Sequence, residues 1–343
     1  MYKLEEIKNT IIQGNASDVL KNIPNNSINC GITSPPYFGL RNYNTNPIVW
    51  CGNDNCNHIW ENDFCTICNA WQGELGLEPT VDLYINHLVS IFDEVKRVLK
   101  NDGTLWVNIA DTYSGSGLGS GKISCTNKGK QVRKNLTNGQ TYFPNPRKDS
   151  TVKKKSLYGI PFRFALAMIN NGWILRNTII WHKPNTMPYS GHDRFTYDFE
   201  YVFFFVKNRH YFFNQQFEPL KDSTIKRSLS KSKVGKRDVY GTMNTENSNT
   251  YMQKILNGEV KERNKRSIWS ISTHGIKEAH FATYPKELVK QCLQAGCPVD
   301  GIVLDPFMGS GTTGLVAREM DMNYIGIELN KEYSNIAEKR LKK

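Results

Sequence analysis

Residues 301–314, Gly-Ile-Val-Leu-Asp-Pro-Phe-Met-Gly-Ser-Gly-Thr-Thr-Gly, restrict the fold more than any other stretch of the chain. Ile302, Val303 and Leu304 form a short apolar run, the pattern of a strand buried on both faces. Asp305 and Pro306 end it. Gly309, Gly311 and Gly314 then make a bare turn at the mouth of a helix expected over residues 312–320. A strand, a glycine turn and a helix N-terminus form a nucleotide-binding corner of a parallel α/β sheet. A second strand, expected over residues 324–329, carries Glu328, whose carboxylate can accept two hydrogen bonds from a ribose diol.

A dinucleotide fingerprint sets its first glycine at the strand end, against a pyrophosphate. Here Asp305-Pro306-Phe307-Met308 intervene, so a carboxylate and an aromatic ring also face the ligand. That suits a cationic, phosphate-free nucleoside such as S-adenosylmethionine (SAM) better than NAD. A turn that only packed a helix on a sheet would not need acids at both strand ends.

A second chemical centre follows a strand expected over residues 28–32. Ser34-Pro35-Pro36-Tyr37 holds two prolines that lock an extended turn and remove two N–H donors. The Pro35 carbonyl beside the Ser34 hydroxyl gives an acceptor-rich edge, suited to an exocyclic amino group with two N–H donors. Tyr37 offers a flat face for a stacked base. Alone, the tetrapeptide reads better as a proline-capped strand end with a packed tyrosine, since Pro-Pro-Tyr occurs in many loops.

Together, the two centres resemble the β-class of SAM-dependent DNA amino-methyltransferases, which methylate N4 of cytosine or N6 of adenine. Thr33-Ser34-Pro35-Pro36-Tyr37 is similar to that family's catalytic motif, and residues 305–312 to its SAM motif. The catalytic motif comes first, the circularly permuted order of the β-class. The resemblance implies a Rossmann-like α/β fold, mostly parallel, with an antiparallel hairpin at an edge. It implies SAM on Asp305, Phe307, Gly309, Gly311, Thr312 and Glu328, with His280, Phe281 and Thr283 in an additional SAM-site segment. It also implies catalysis by Ser34, Pro35, Pro36 and Tyr37 on a base flipped from double-stranded DNA. The family often carries Asp where Asn15 stands. A Ser before Pro-Pro-Tyr goes mostly with cytosine in that family, so N4 of cytosine is the expected acceptor and N6 of adenine the alternative. The further readings are an RNA or protein-amide methyltransferase, or an inactive SAM-sensing DNA-binding protein; the intact Ser-Pro-Pro-Tyr counts against the last. A cytosine C5 enzyme would need a nucleophilic cysteine, usually preceded by proline, and the chain has no Pro-Cys pair.

The chain has 343 residues, with 44 basic against 32 acidic, a net charge of +12 that favours a polyanionic partner. The first residues do not form a signal peptide and no apolar run is long enough to span a bilayer, so a cytoplasmic, nucleoid-associated protein is expected. Four of the eight cysteines, Cys51, Cys56, Cys65 and Cys68, follow a C-x4-C-x8-C-x2-C pattern. Two close pairs can close a four-thiolate structural zinc site; His58 reads as a bystander, with replacement of one thiolate as the alternative. The expected organisation is a catalytic domain over residues 1–48, 73–213 and 266–343. Residues 49–72 are a zinc-knuckle insertion, 115–155 a basic loop and 214–265 a target-recognition region.

From residue 122 to 155 there are ten basic residues and one acid. Lys153, Lys154 and Lys155 end this loop, which reads as a phosphate clamp or as a solvated run. Lys226, Arg227, Lys236 and Arg237 lie in the densest basic run of 214–265, suited to guanine edges or phosphates. Amphipathic helices are expected over residues 83–99 and 157–170, strands over 104–109 and 175–181, and a hairpin pairing 200–206 with 211–213. A companion restriction endonuclease and a monomer or homodimer fit this reading.

Overall fold

In chain order the strands are β1 (Thr10–Gln13), β2 (Ile28–Thr33), β3 (Ile48–Trp50), β4 (Trp60–Glu61), β5 (Phe64–Cys65), β6 (Trp71–Gly73) and β7 (Leu99–Ile109). They continue with β8 (Ile174–His182), β9 (Phe199–Val206), β10 (Phe217–Pro219), β11 (Glu262–Asn264), β12 (Ile268–Ser270), β13 (Ile302–Asp305) and β14 (Asn323–Glu328). This computed structural model describes residues 1–40, 43, 45–53, 55–115, 151–189, 191–229, 254–255, 257–273 and 284–342.

The main sheet has eight strands in the order β1-β14-β13-β2-β7-β9-β8-β12. Only β9 runs antiparallel to its neighbours β7 and β8; the other pairs are parallel. Strand alternation builds a three-layer core. On β7 and β9, Leu105, Val107, Ile109, Phe203 and Phe205 face the helices Val81–Val98 and Ile160–Asn170. Trp106, Val202, Phe204 and Val206 join the opposite layer with Leu288, Cys292 and Val316. The helix Val81–Val98 starts two residues before the apolar pattern suggested, because the Thr80 hydroxyl accepts from the Leu83 N–H.

The antiparallel pairing falls towards one edge, as expected, but its partners differ. The expected strand over 211–213 does not form. Both edges of β9 are taken by β7 and β8, so no ladder is free for it; Phe212 N–H instead donates to the Asp102 carbonyl.

One pairing places the chemistry. Strand β13 lies parallel to β2, with Val303 opposite Cys30 and Leu304 opposite Gly31. The stretches that follow these strands, far apart in sequence, therefore leave the sheet side by side at its carboxyl end. Open parallel sheets bind ligands at that end.

The strands β3 to β6 make a separate antiparallel sheet in the order β3-β6-β5-β4. Trp50 and Trp71, opposite each other on β3 and β6, both stack on the buried ring of His87, at 4.8 Å and 5.5 Å between centroids. His87 Nδ1 meets Glu78 Oε1 at 3.0 Å, with both side chains fully buried. Packing and this polar pair together seat the insertion on the helix Val81–Val98.

Residues Asn214–Ser267 form a second compact unit. In it β10 and β11 pair antiparallel, and Glu218 accepts from Arg263 at 2.8 Å and Arg266 at 2.6 Å. No helix among the described residues is long and apolar enough to cross a membrane.

Candidate active site

A cavity of about 470 Å³ opens at the carboxyl ends of β2, β7, β13 and β14. Its size lies in the range of small-molecule and cofactor sites. One part of its wall is Phe307, Gly309, Ser310, Thr312 and Glu328; another is Ser34, Pro35, Pro36 and Tyr37. Asn15, Asn108, Trp181, Lys183 and Glu200 complete the polar rim, Ile48 and Trp50 bring the sheet of the insertion into the wall, and Glu74 and Leu75 follow that sheet.

Asp305 is not in that wall. It is fully buried, and its carboxylate accepts from Thr33 Oγ1 at 2.6 Å, Phe307 N–H at 3.0 Å, Thr313 Oγ1 at 2.5 Å and Tyr284 Oη at 2.8 Å. These four bonds give the carboxylate a bracing role between the two turns. Burial pushes its acid up, and the four donors pull the other way.

Gly311 also departs from expectation. Its φ is +82°, and a Cβ there would meet Ala337 Cβ at 2.9 Å, on the C-terminal helix Lys331–Lys342. The absent side chain makes room for a helix, not for a ligand. Gly309, at φ +54°, lines the cavity instead. Its N–H donates to Glu328 Oε2 at 2.7 Å, and Asn330 N–H donates to Oε1 at 2.8 Å. Burial raises the Glu328 acid to about 7 against these two bonds.

On the other wall Tyr37 is held by its hydroxyl. It donates to Glu200 Oε2 at 2.6 Å, and Ser34 Oγ donates to Tyr37 Oη at 3.2 Å. Asn108 Nδ2 donates to the same Glu200 oxygen at 2.9 Å. Lys183 Nζ closes an ion pair with Glu200 Oε1 and lies 4.7 Å from the Trp181 ring centroid. Burial, then the Glu200 charge, push the Tyr37 phenol far above its ordinary value, so it stays neutral. Tyr84 Oη donates to the Pro36 carbonyl at 2.7 Å. Among the described residues no hydrogen bond engages the Pro35 carbonyl, which leaves an acceptor beside Ser34.

Glu200 and Asn108 were not singled out by sequence, whereas Lys183 lies in the stretch His182-Lys183-Pro184-Asn185, which the family resemblance places at the pocket of the flipped base. The available signal was Glu200, the one charge in the strand Phe199–Val206. His280, Phe281, Thr283, Lys236 and Arg237 lie outside the described residues, as does the Arg227 side chain. Tyr284, the next described residue, lines the cavity. Lys153, Lys154, Lys155 and Lys226 are exposed, and Lys155 pairs with Asp193 at 3.0 Å.

The insertion corrects a second reading. Ligand atoms of Cys56, His58, Cys65 and Cys68 all lie within 4.8 Å of one another. Cys51 is not among them: it is exposed, in a left-handed turn (φ +55°) after β3. His58 therefore takes the place expected for Cys51. A tetrahedral zinc requires sulfurs about 3.8 Å apart and a sulfur and a nitrogen about 3.6 Å apart. Cys56 Sγ and Cys65 Sγ are 3.8 Å apart, and Cys68 Sγ is 3.4 Å from His58 Nδ1. The donor set fits zinc and leaves no open position. Ile67 N–H donates to Cys65 Sγ at 3.4 Å, which favours the thiolate a metal needs.

Comparison with known proteins agrees with this geometry. A family model described as DNA methylase, N6_N4_Mtase, matches residues 28–339. The chain is 34% identical over 332 residues to the type II methyltransferase M.Cfr9I of Citrobacter freundii, covering 97% of this chain and 87% of that protein. It is 34% identical over 331 residues to M.SmaI of Serratia marcescens, covering 96% and 90%. Among solved structures, the PvuII DNA methyltransferase (cytosine-N4-specific) superposes with a TM-score of 0.58 at 18% identity, over 96% of this chain and 85% of that one. TTHA0409 of Thermus thermophilus, solved with S-adenosyl-L-methionine, gives 0.53 at 19% identity, over 97% and 92%. The last two comparisons establish a shared fold.

The metal-ligand geometry gives a direct test. His58→Ala should lower zinc content and thermal stability together, and Cys51→Ser should leave both unchanged, by elemental analysis and thermal melts. Loss of zinc in Cys51→Ser with retention in His58→Ala would restore the four-thiolate set.

Proposed function

The chain belongs to the DNA methylase family, and from that premise we propose that it transfers a methyl group from SAM to N4 of a cytosine flipped from duplex DNA. Its place would be in a restriction–modification system, as the type II names of relatives covering nearly the whole chain suggest. The observation that carries the reading is one cavity lined by both the glycine turn with Glu328 and the Ser-Pro-Pro-Tyr turn. Cofactor and acceptor would then lie side by side, and water would be displaced from between them.

SAM would rest over Gly309 to Thr312, with its ribose hydroxyls donating to the Glu328 carboxylate and its apolar body against Phe307. Duplex DNA hides the amino nitrogen in the base stack, so the base must leave it. The amino group would donate to Ser34 Oγ and the Pro35 carbonyl, and the ring would lie against Tyr37. An aromatic amine is a poor nucleophile because its lone pair is delocalised into the ring. Two acceptors at the N–H groups favour a pyramidal nitrogen and stabilise the charge that grows there. The nitrogen pair forms the N–C bond as the methyl C–S bond breaks, its electrons going to sulfur. The surplus proton has a path through Ser34 Oγ and Tyr37 Oη to Glu200, whose partners Asn108 and Lys183 hold it in place.

Ser34 favours cytosine through the family's habit, and its neutral hydroxyl is a weaker acceptor than a carboxylate. Adenine N6 is the second reading. Zinc at Cys56, His58, Cys65 and Cys68 would be structural. It would stiffen the sheet that supplies Ile48 and Trp50 to the cavity wall. The basic residues of 115–155 and the unit 214–267 would contact DNA, the latter as the recognition region.

A ribose diol needs Glu328 ionised, while the free protein binds a proton there with a pKa of about 7. Bound SAM would lower that pKa, so its affinity should rise as pH increases to about 7 and level off above it. Calorimetric titration should show this slope in wild type and a weaker, flat profile in Glu328→Gln; a flat wild-type profile would remove Glu328 from the ribose. The acceptor is read by incubating duplex DNA with protein and SAM, digesting to nucleosides and analysing by mass spectrometry. N4-methyldeoxycytidine is expected, and N6-methyldeoxyadenosine in its place would overturn the assignment.

A further inference from the structure

The loop between β8 and β9, within residues 183–198, carries two large apolar side chains that are almost wholly exposed. Phe195 is 96% exposed and Met187 86%. Among the described residues Phe195 is the most exposed of the large apolar side chains. Apolar groups left in water on an ordered loop forgo the burial that usually offsets ordering.

The loop is braced. Lys183 N–H donates to the Asp198 carbonyl at 2.7 Å, closing its base. Tyr189 N–H donates to Thr196 Oγ1 at 3.2 Å across it. The Arg194 guanidinium lies 3.7 Å from the Tyr113 ring centroid and 4.3 Å from that of Tyr189.

Its position and its apolar tip point to one occupant. Both ends meet the cavity: Lys183 at the start, Glu200 just past the finish. Asn185 exchanges hydrogen bonds with Thr273, another cavity residue, at 2.8 Å and 3.0 Å. The loop's two acids are paired, Asp193 with Lys155 at 3.0 Å and Asp198 with His182 at 3.6 Å. Lys183 and Arg194 match these two acids in number, so the loop presents an apolar face without net negative charge, which suits stacked, apolar base faces.

We propose that this loop enters the duplex beside the extruded base, with Phe195 and Met187 occupying the space the base vacates. Apolar wedges of this type unstack base steps and hold DNA distorted. The inference rests on the reading of the cavity as a base pocket. It adds a pair of positioning residues that act on base extrusion rather than on methyl transfer.

The test compares two duplexes, one with the target base paired and one with it opposite an abasic position, where extrusion costs least. Phe195→Ala with Met187→Ala should cut kcat/KM on the paired duplex by about tenfold or more beyond its loss on the unpaired one. Fluorescence of 2-aminopurine at the target should fall in parallel. Phe195→Leu, which keeps an apolar wedge, should recover most of the paired-duplex rate. Equal losses on the two duplexes, or no loss on either, would overturn the proposal. A wild type that methylates neither duplex would overturn the base-pocket reading and the proposal with it.

Discussion

Four donors converge on one buried carboxylate, Asp305. Thr33 reaches it from the end of β2, Thr313 from the first turn of the helix Thr312–Glu319, and Tyr284 from ahead of the helix Lys286–Gly296. Phe307 donates from the glycine turn itself. A buried carboxylate is costly unless its lone pairs are filled. Here filling them requires the ends of β2 and β13 to keep a fixed separation. That separation is also the distance between the Ser-Pro-Pro-Tyr turn and the glycine turn, and on the proposed reading it would set the geometry between cofactor and acceptor. Hydrogen bonds to a charged acceptor are stronger than neutral ones, and removing one donor leaves the charge short of a partner.

The opposite wall repeats the device with a second acid. Glu200 holds Tyr37, Asn108 and Lys183, from three different parts of the chain. Pairing with Lys183 lets a charge sit at the mouth of an otherwise apolar strand. The tyrosine ring is then fixed by its far end, and on the proposed reading its face would orient a base. Glu328 is held by backbone donors, Gly309 and Asn330 among them, with no side-chain donor among the described residues, and is therefore the acid that retains acceptor capacity for a ligand. Three acids at one sheet end thus do different work, according to how many partners each already has.

How much of this was legible in the sequence depended on whether the information was local. The glycine turn, the Ser-Pro-Pro-Tyr turn and the strands beneath them read directly, because proline, glycine and apolar runs act on their neighbours. The identity of the ligand-facing groups read less well. Asp305 and Gly311 sit in the motif, yet one is turned inward by four donors and the other yields to Ala337, 26 residues further along. Lys183, Glu200 and Asn108 meet only through strand pairing, and nothing in their separate neighbourhoods announces it. The metal cluster shows the same limit: spacing found the cysteines, but backbone handedness at Cys51 decided for His58.

The central claim is that cofactor and acceptor share one cavity but rest on different walls, with Ser34 serving the acceptor alone. The direct measurement is a pair of assays on Ser34→Ala: SAM affinity by calorimetry and single-turnover methyl transfer to duplex DNA. Loss of one transition-state hydrogen bond predicts transfer slowed by about 100-fold or more, with SAM affinity unchanged. Transfer at the wild-type rate, or SAM binding lost together with transfer, would contradict the account.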